Sequence, residues 1–400
     1  MKPAHSILIV GAGICGATAA IELRRRSHEV SLLDPGPLPH PKAASTDISK
    51  LIRMDYGADE FYTELMEIAF EGWETWNKQW PEPHYHQTGF VNMTTCEMQP
   101  DSYQYESFML LQKRGHSVER LNSARLKTRF PAWAAENYPD GYYNPQAGWA
   151  ASGKVIAQLL REAQTAGVRL CTGVAMANLW KEGSQVTGVV TTDGTKHRAD
   201  LVLIAAGAWT PKLLPWLGDV MWPTGQAVLY FRPAAVKDFQ PPWFVPWAAD
   251  VTRTGWYGFS AQPDGTLKVA NHGPGRRVQP DEPRTISPED VINCREFFRT
   301  TFPRLADAPL IGSRMCLYCD TWDGNFWIDH DPERPGLVVA AGDSGHSFKF
   351  APILGGLIAD VVERKPNPYS SRFAWRSRGQ LSTERARFSD AHESAGRGTR

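Results

Sequence analysis

The sequence predicts an α/β (α+β) fold in which one parallel sheet is interleaved with a second domain of mixed β-sheet. Three observations carry this. Residues 6–34 read as strand, glycine turn, helix and strand, which is a βαβ unit. A buried strand in "ADLVLIAAGAWT" (199–210) ends in Ala206-Gly207, late in the chain. Across 222–310 the character changes to prolines, tryptophans and alternating strands such as "GWYGFS" and "GTLKVAN".

The elements follow in order. Residues 6–10 form a short apolar run fit for a buried strand, 14–26 are Ala-rich and helical, and "EVSLLD" (29–34) is the second strand. Residues 59–80 place apolar side chains at helical spacing. "HQTGFVNM" and "DGYYNPQAG" carry turn signals. Residues 152–171 read as helix then strand, and 183–207 as a hairpin followed by a buried strand. "GLVVAAG" (336–342) is again a buried strand, and 351–364 is helical, although Gly355 and Gly356 weaken that assignment. From residue 371 aliphatics are few and serines and arginines many, so the last 20 or so residues are expected to be mobile.

Composition bounds the function. A chain of 400 residues holds one or two domains. With 42% hydrophobic and 22% charged residues, it reads as a soluble globular protein. Its 43 basic residues balance 43 acidic ones, so no global field favours nucleic acid. No apolar run reaches the ~20 residues of a membrane span, and no signal-peptide core precedes the first strand. Six sparse cysteines point to a reducing compartment. Cytoplasm is the default location, because Gly-Thr-Arg at the end is not the peroxisomal tripeptide. The 15 tryptophans suit either an aromatic-lined cavity or ordinary core packing.

"GAGICG" supplies Gly11, Gly13 and Gly16. The first permits a tight turn, the second lets a pyrophosphate approach the backbone, and the third allows close helix–strand packing. Asp34, at the end of the next strand, is placed for a ribose hydroxyl. This is a Rossmann-like dinucleotide signature. Its spacing does not choose between NAD and FAD, but the late strand at 199–210 suits two-domain FAD enzymes. "RMCLYCDTWDGNFWID" (314–329) holds Cys316 and Cys319 three apart. Such a pair serves as a zinc half-site, a redox dithiol or a disulfide, and a single cysteine there can anchor a cofactor. No second ligand pair stands at zinc spacing, so no metal is expected.

Six motifs in order, "IVGAGICGATAA", "ASTDISKLIRMDYG", "AAGAW", "WYGFS…LKVANHG", "CLYCDTWDGNFWID" and "AAGDSGHSFKFAP", make residues 5–365 resemble the monomeric sarcosine oxidase branch of the D-amino-acid-oxidase-like flavoproteins. That branch includes N-methyltryptophan, pipecolate and fructosyl amino acid oxidases. The resemblance implies a Rossmann-like FAD-binding domain (1–85, 150–215 and 311–370), a substrate domain (86–149 and 216–310) and a polar tail (371–400). It implies a monomer that oxidises the C–N bond of a secondary (N-alkyl) amine or amino acid to an imine, with O2 reduced to H2O2. Cofactor contacts are implied at Gly11, Gly13, Ile14, Cys15, Gly16, Asp34, Ser45, Thr46, Gly207, Gly342, Ser344, Gly345 and Lys349. Cys316 matches the cysteine bonded to the flavin 8α-methyl group. Arg53 and Lys349 match a pair that holds a substrate carboxylate, and Lys268 matches the lysine that activates oxygen. His272, Tyr318 and His346 match residues near the substrate or flavin ring, with Tyr257 on the substrate side. Lys50 departs from the arginine usual there, which leaves the substrate open.

The residue types suit this chemistry. A lysine at a helix start is repelled by the dipole, so Lys349 points to a nearby anion. Lys268 alternates with Leu267 and Val269, either facing solvent or, by the resemblance, turned inward. An arginine such as Arg53 grips carboxylates in bidentate fashion. Aromatic segments expected to wall the pocket, "GWYGFS", "PPWFVPWAAD" and "CDTWDGNFW", tilt the substrate towards an amine bulkier than sarcosine, including a secondary-metabolite amine whose imine is trapped by ring closure. A flavin dehydrogenase with a carrier acceptor and a non-catalytic flavin-binding protein are the alternatives.

Overall fold

The computed structural model describes residues 5–388. The first strand, Ser6–Val10, sits inside a six-stranded sheet in the order Trp327–His330, Leu337–Ala341, Leu201–Ile204, Ser6–Val10, Glu29–Asp34, Arg169–Thr172. All pairings are parallel except that of the edge strand Trp327–His330. The late strand expected at 199–207 thus pairs with the first, Ile7 opposite Leu201. Alternation along Ser6–Val10 sends Ile7 and Ile9 to one core and Leu8 and Val10 to another. A parallel sheet covered on both faces explains these continuous apolar runs.

Helices Ile14–Arg25, Ser152–Thr165, Glu60–Gln79 and Ala351–Val362 cover one face. The first and last touch closely at Gly355, where a Cβ would lie 2.5 Å from the Thr18 carbonyl oxygen. The glycine that weakened the helical reading therefore makes the packing. On the other face lies a small sheet of Met176–Glu182, Gln185–Thr191 and Lys196–Arg198.

The second large sheet is nine-stranded and mixed, with Phe90–Thr94 and Trp247–Ala249 parallel among antiparallel neighbours. Its core is aromatic, built from Trp133, Trp247, Phe298 and Phe302. Helix Pro288–Thr301, opened by a Ser287–Asp290 capping box, supplies Phe297 and Phe298. The long strand Leu310–Thr321 runs antiparallel along Met221–Phe231 in this sheet. The boundary expected at 311 assigned it to the first domain. It leaves the second sheet only at its end, close to where Trp327–His330 rejoins the first.

The segment expected to be mobile is packed at 372–376 and 386–388, with an exposed stretch at 377–383 between. Phe373 is buried against Phe61, Tyr62 and Phe326. Arg376 pairs with Asp323 at 2.7 Å, and Arg387 grips both oxygens of buried Asp320 at 2.7 and 2.8 Å. Low aliphatic content misleads here because arginine–carboxylate pairs and a few aromatic contacts, not an aliphatic stripe, hold the segment. The remainder of that expectation, residues 389–400, lies outside the described residues. Among the described residues no helix is long and apolar enough to cross a membrane.

Candidate active site

A long cleft opens at the carboxyl ends of the parallel strands, where such sheets bind ligands. Gly11 turns the chain at φ +104°, and a Cβ there would lie 2.5 Å from the Ala205 carbonyl oxygen. Gly16 packs against the turn itself, with a would-be Cβ 1.8 Å from Gly11 O. Gly11, Gly13, Ile14, Cys15, Asp34, Ser45 and Gly207 all line the cleft. The Asp34 carboxylate also accepts the Ala12 and Gly36 N–H groups at 2.9 and 3.0 Å, so it braces the glycine loop.

Several expected contacts stand behind the wall. Thr46 does not reach the cleft, and its Oγ1 is buried without a partner among the described residues. Gly342 (φ +67°) and Ser344 (φ +44°) shape the turn after Leu337–Ala341, and Ser344 N–H donates to Cys319 O at 3.0 Å. That turn delivers Gly345 to the cleft.

A second cavity adjoins the first. Lys50, Tyr318, Gly345 and Phe348 line both, and so mark the junction. Arg53, Tyr257, His272, His346 and Lys349 line the second cavity with them. Seven expected substrate-side or catalytic residues, from positions 50 to 349, thus converge on one place. Arg53 follows the short strand Lys50–Ile52, Tyr257 and His272 come from the mixed sheet, and His346 and Lys349 lead into helix Ala351–Val362.

A hydrogen-bonded chain fixes the proton positions. Lys349 Nζ donates to Tyr56 Oη at 2.9 Å, Tyr56 Oη meets His346 Nδ1 at 3.1 Å, and His346 Nε2 meets Gly324 O at 3.0 Å. A carbonyl only accepts, so Nε2 carries the proton and Nδ1 accepts from the tyrosine. Burial pushes His346 down to about 3, which keeps it neutral. Burial, then the charge of Arg53, pushes Lys349 down to about 7.

Lys268 faces inward, away from Leu267 and Val269, which lie in the aromatic core. Its Nζ donates to Asp47 Oδ2 at 2.7 Å and Ser49 O at 2.6 Å, and it lines neither cavity. Burial pushes it down to about 8 against the pull of Asp47. Lys50 lies nearer the junction, its Nζ 3.9 Å from Cys316 Sγ. Burial opposes its charge, but Cys316 and Asp47 hold it above its ordinary value.

Cys316 is buried with Val228, Ala270 and Tyr318, whereas Cys319 packs with Trp327 and Leu337 in a different core. The odd offset on an extended strand puts them on opposite faces, and neither is in a disulfide. Among the described residues no cluster of His, Cys, Asp or Glu is arranged to hold a metal ion.

Three site residues escaped the sequence reading. Tyr56 and Asp47 lie inside quoted motifs, "IRMDYG" and "ASTDISK", and could have been found there. Glu384 comes from the polar C-terminal segment and had no signal. Its Oε1 accepts from Arg53 at 2.9 Å and its Oε2 meets His272 Nε2 at 2.8 Å. Most tryptophans expected near the pocket pack elsewhere: Trp247 and Trp256 in the aromatic core, Trp322 and Trp327 beside the parallel sheet. Tyr257, Phe259, Phe90 and Tyr103 supply the aromatic lining instead.

The chain is similar to known proteins. The family described as DAO, FAD dependent oxidoreductase, matches residues 6–361. N-methyl-L-tryptophan oxidase of Salmonella dublin is 28% identical over 369 residues, 91% of this chain and 96% of that protein. Peroxisomal sarcosine oxidase of Mus musculus is 30% identical over 389 residues, 94% of this chain and 97% of that protein. The crystal structure of fructosamine oxidase (Amadoriase II) from Aspergillus fumigatus superposes with a TM-score of 0.84 at 26% identity, covering 97% of this chain and 94% of that one. With a glycine-turn cleft, a converging second cavity and a family match over nearly its whole length, the chain belongs to the DAO family of FAD-dependent oxidoreductases.

Proposed function

We propose that this protein is an amine oxidase that converts the C–N bond of a secondary, N-alkyl amine to an imine, with O2 reduced to hydrogen peroxide. The carrying observation is the junction at Lys50, Tyr318, Gly345 and Phe348, where a cation-lined cavity meets the dinucleotide cleft. The relatives named above take N-methyl-L-tryptophan and sarcosine in their names, and both are secondary amines.

The cleft residues fit FAD. Gly11 lets the chain turn tightly against the Ala205 carbonyl, Gly13 lines the cleft without a side chain, and the helix Ile14–Arg25 offers its N-terminus to a pyrophosphate. Asp34 would take the ribose, and Cys316 is the attachment point we assign to the flavin. FAD, when bound, accepts the two electrons and hydrogen that leave the carbon beside nitrogen and passes them to oxygen. Lys50, at the junction of the two cavities, would supply positive potential to bound FAD where negative charge builds up. Lys268 is the proposed oxygen-activating cation, set behind Lys50 on Asp47.

His346 is neutral with its proton fixed on Nε2, so it positions Tyr56 and Lys349 and is not the base. Lys349 Nζ, near its midpoint at neutral pH, is the group able to take a proton from an incoming ammonium. The aromatic lining of Phe90, Tyr103, Tyr257 and Phe259 favours an amine with an apolar body over sarcosine. Capture of its imine by ring closure, and action as a cytoplasmic monomer, belong to the same reading.

The test is a panel of secondary amines monitored by peroxide release. An N-alkyl amine with an apolar arm is expected to turn over fastest. Sarcosine as the best substrate would overturn the preference, and no peroxide from any amine would overturn the activity. Acid precipitation should leave the yellow colour in the pellet for the wild type and in the supernatant for Cys316→Ala.

A further inference from the structure

Resting on the amine-oxidase reading, we infer that Glu384 is a specificity residue: its carboxylate fills the Arg53 subsite from within, so the substrate is a secondary amine without a carboxylate at that position.

Arg53 is the group that a substrate carboxylate would seek, and it is already satisfied. One arm donates to the Asp55 carbonyl and another to Glu384 Oε1 at 2.9 Å. The second Glu384 oxygen is taken by His272 Nε2 at 2.8 Å. The side chains of Arg53 and Glu384 are 8% and 5% exposed, so water does little to loosen the pair. Burial alone would raise the Glu384 carboxyl, but Arg53 and then His272 hold it well below the usual range. These partners favour its charged form. Two carboxylates cannot share one guanidinium arm in a buried site without strong repulsion.

The residues around Glu384 make it a fixed wall and not a passing occupant. Upstream, Ser382 N–H donates to Trp322 O at 2.8 Å. Downstream, Ala386 is buried in the cluster that holds Phe90 and Tyr103. Arg387 is locked on Asp320, and Phe388 N–H donates to His272 O at 3.0 Å. The segment is therefore anchored on both flanks of the glutamate, and Glu384 itself lines the substrate cavity. Lys349 and Lys50 remain as the cations facing that cavity, but Lys349 is tied to Tyr56 and near half-charged, and Lys50 stands at the junction. With Arg53 neutralised, the end of the cavity away from the junction recognises shape and apolar surface.

Equilibrium titration of the holoenzyme with benzoate and with benzamide, read from flavin absorbance, tests this without turnover. The wild type is expected to bind benzoate no more tightly than benzamide. Glu384→Ala should gain at least tenfold in benzoate affinity, with benzamide unchanged, and Arg53→Met/Glu384→Ala should lose that gain. Glu384→Gln, which keeps the hydrogen-bonding shape, should show the same preference if the alanine variant folds poorly. In turnover, the Glu384 variants should shift preference towards N-methyl amino acids over the matching amines without a carboxylate. Benzoate binding to the wild type at least tenfold tighter than benzamide, unaltered in Glu384→Gln, would overturn the inference. Because the absorbance titrations need only bound flavin, a failure of the amine-oxidase reading would appear separately, as absence of peroxide from every amine.

Discussion

Two buried lysines, Lys349 and Lys268, carry charges that the fold strips of water, at a cost that can be measured. Lys349 has an ordinary pKa of 10.5 and is pushed to about 7 in the folded protein. Between these values the unfolded chain holds a proton that the folded chain has shed, so this group makes stability rise with pH across that window. Below about 7 both states are charged and the full burial cost applies. Lys349→Met removes the cost, so its stability advantage over the wild type should be largest at pH 6 and shrink by pH 10. The expected change is on the order of a few kcal/mol, read from urea melts. A gap that stays flat over that range would mean that Lys349 remains charged when buried. Lys268 makes a kinetic prediction. Lys268→Met should slow reoxidation of the reduced enzyme by oxygen at least tenfold, with the reduction rate by amine little changed, as stopped-flow absorbance would show. An unchanged reoxidation rate would pass the oxygen role to Lys50, which lies closer to the junction.

Two adjacent glycines show what the pattern of an element reveals and what it hides. In "APILGGLIADVV" both weaken a helical reading equally, since glycine costs about 1 kcal/mol against alanine in a helix interior. Gly355 faces Thr18, where a Cβ would clash with backbone at 2.5 Å, whereas nothing lies within 4 Å of a Cβ at Gly356. Opposite outcomes follow. Gly355→Ala should destabilise by about 1–3 kcal/mol through overpacking, and Gly356→Ala should stabilise by about 0.5–1 kcal/mol. Thermal melts of the two variants side by side would check both signs. Local pattern identified Ser6–Val10 and Glu29–Asp34 as short apolar runs flanking a glycine turn, and Ala351–Val362 as an apolar stretch of helical length. It passed over Pro288–Thr301, where Phe297 and Phe298 stand among charged residues in a stretch otherwise read as strands.

At the scale of the molecule, motifs brought Lys50, Arg53, His272, Tyr318, His346 and Lys349 into one expected site, and the fold does bring them together. The final wall of that site was not legible, because Glu384 and Arg387 act through ion pairs that leave no periodicity. Arg387 and Asp320 are each 4% exposed and share two hydrogen bonds. Breaking such a pair from one side leaves a buried charge uncompensated, at a cost of about 3–5 kcal/mol. Arg387→Met should therefore lower the melting temperature sharply, whereas Asp320→Asn/Arg387→Met should recover part of the loss because neither charge is then stranded. A coupling above about 1 kcal/mol in this cycle is the expected sign of direct contact. The same variants reach the substrate side, since Arg387 lies three residues beyond Glu384. If the ion pair holds the wall in place, Arg387→Met should loosen Glu384 and raise benzoate affinity, and the double variant should restore the wall only as far as it restores stability. Additive stability effects, with benzoate affinity unmoved, would show that Ser382, Ala386 and Phe388 hold the segment without the ion pair.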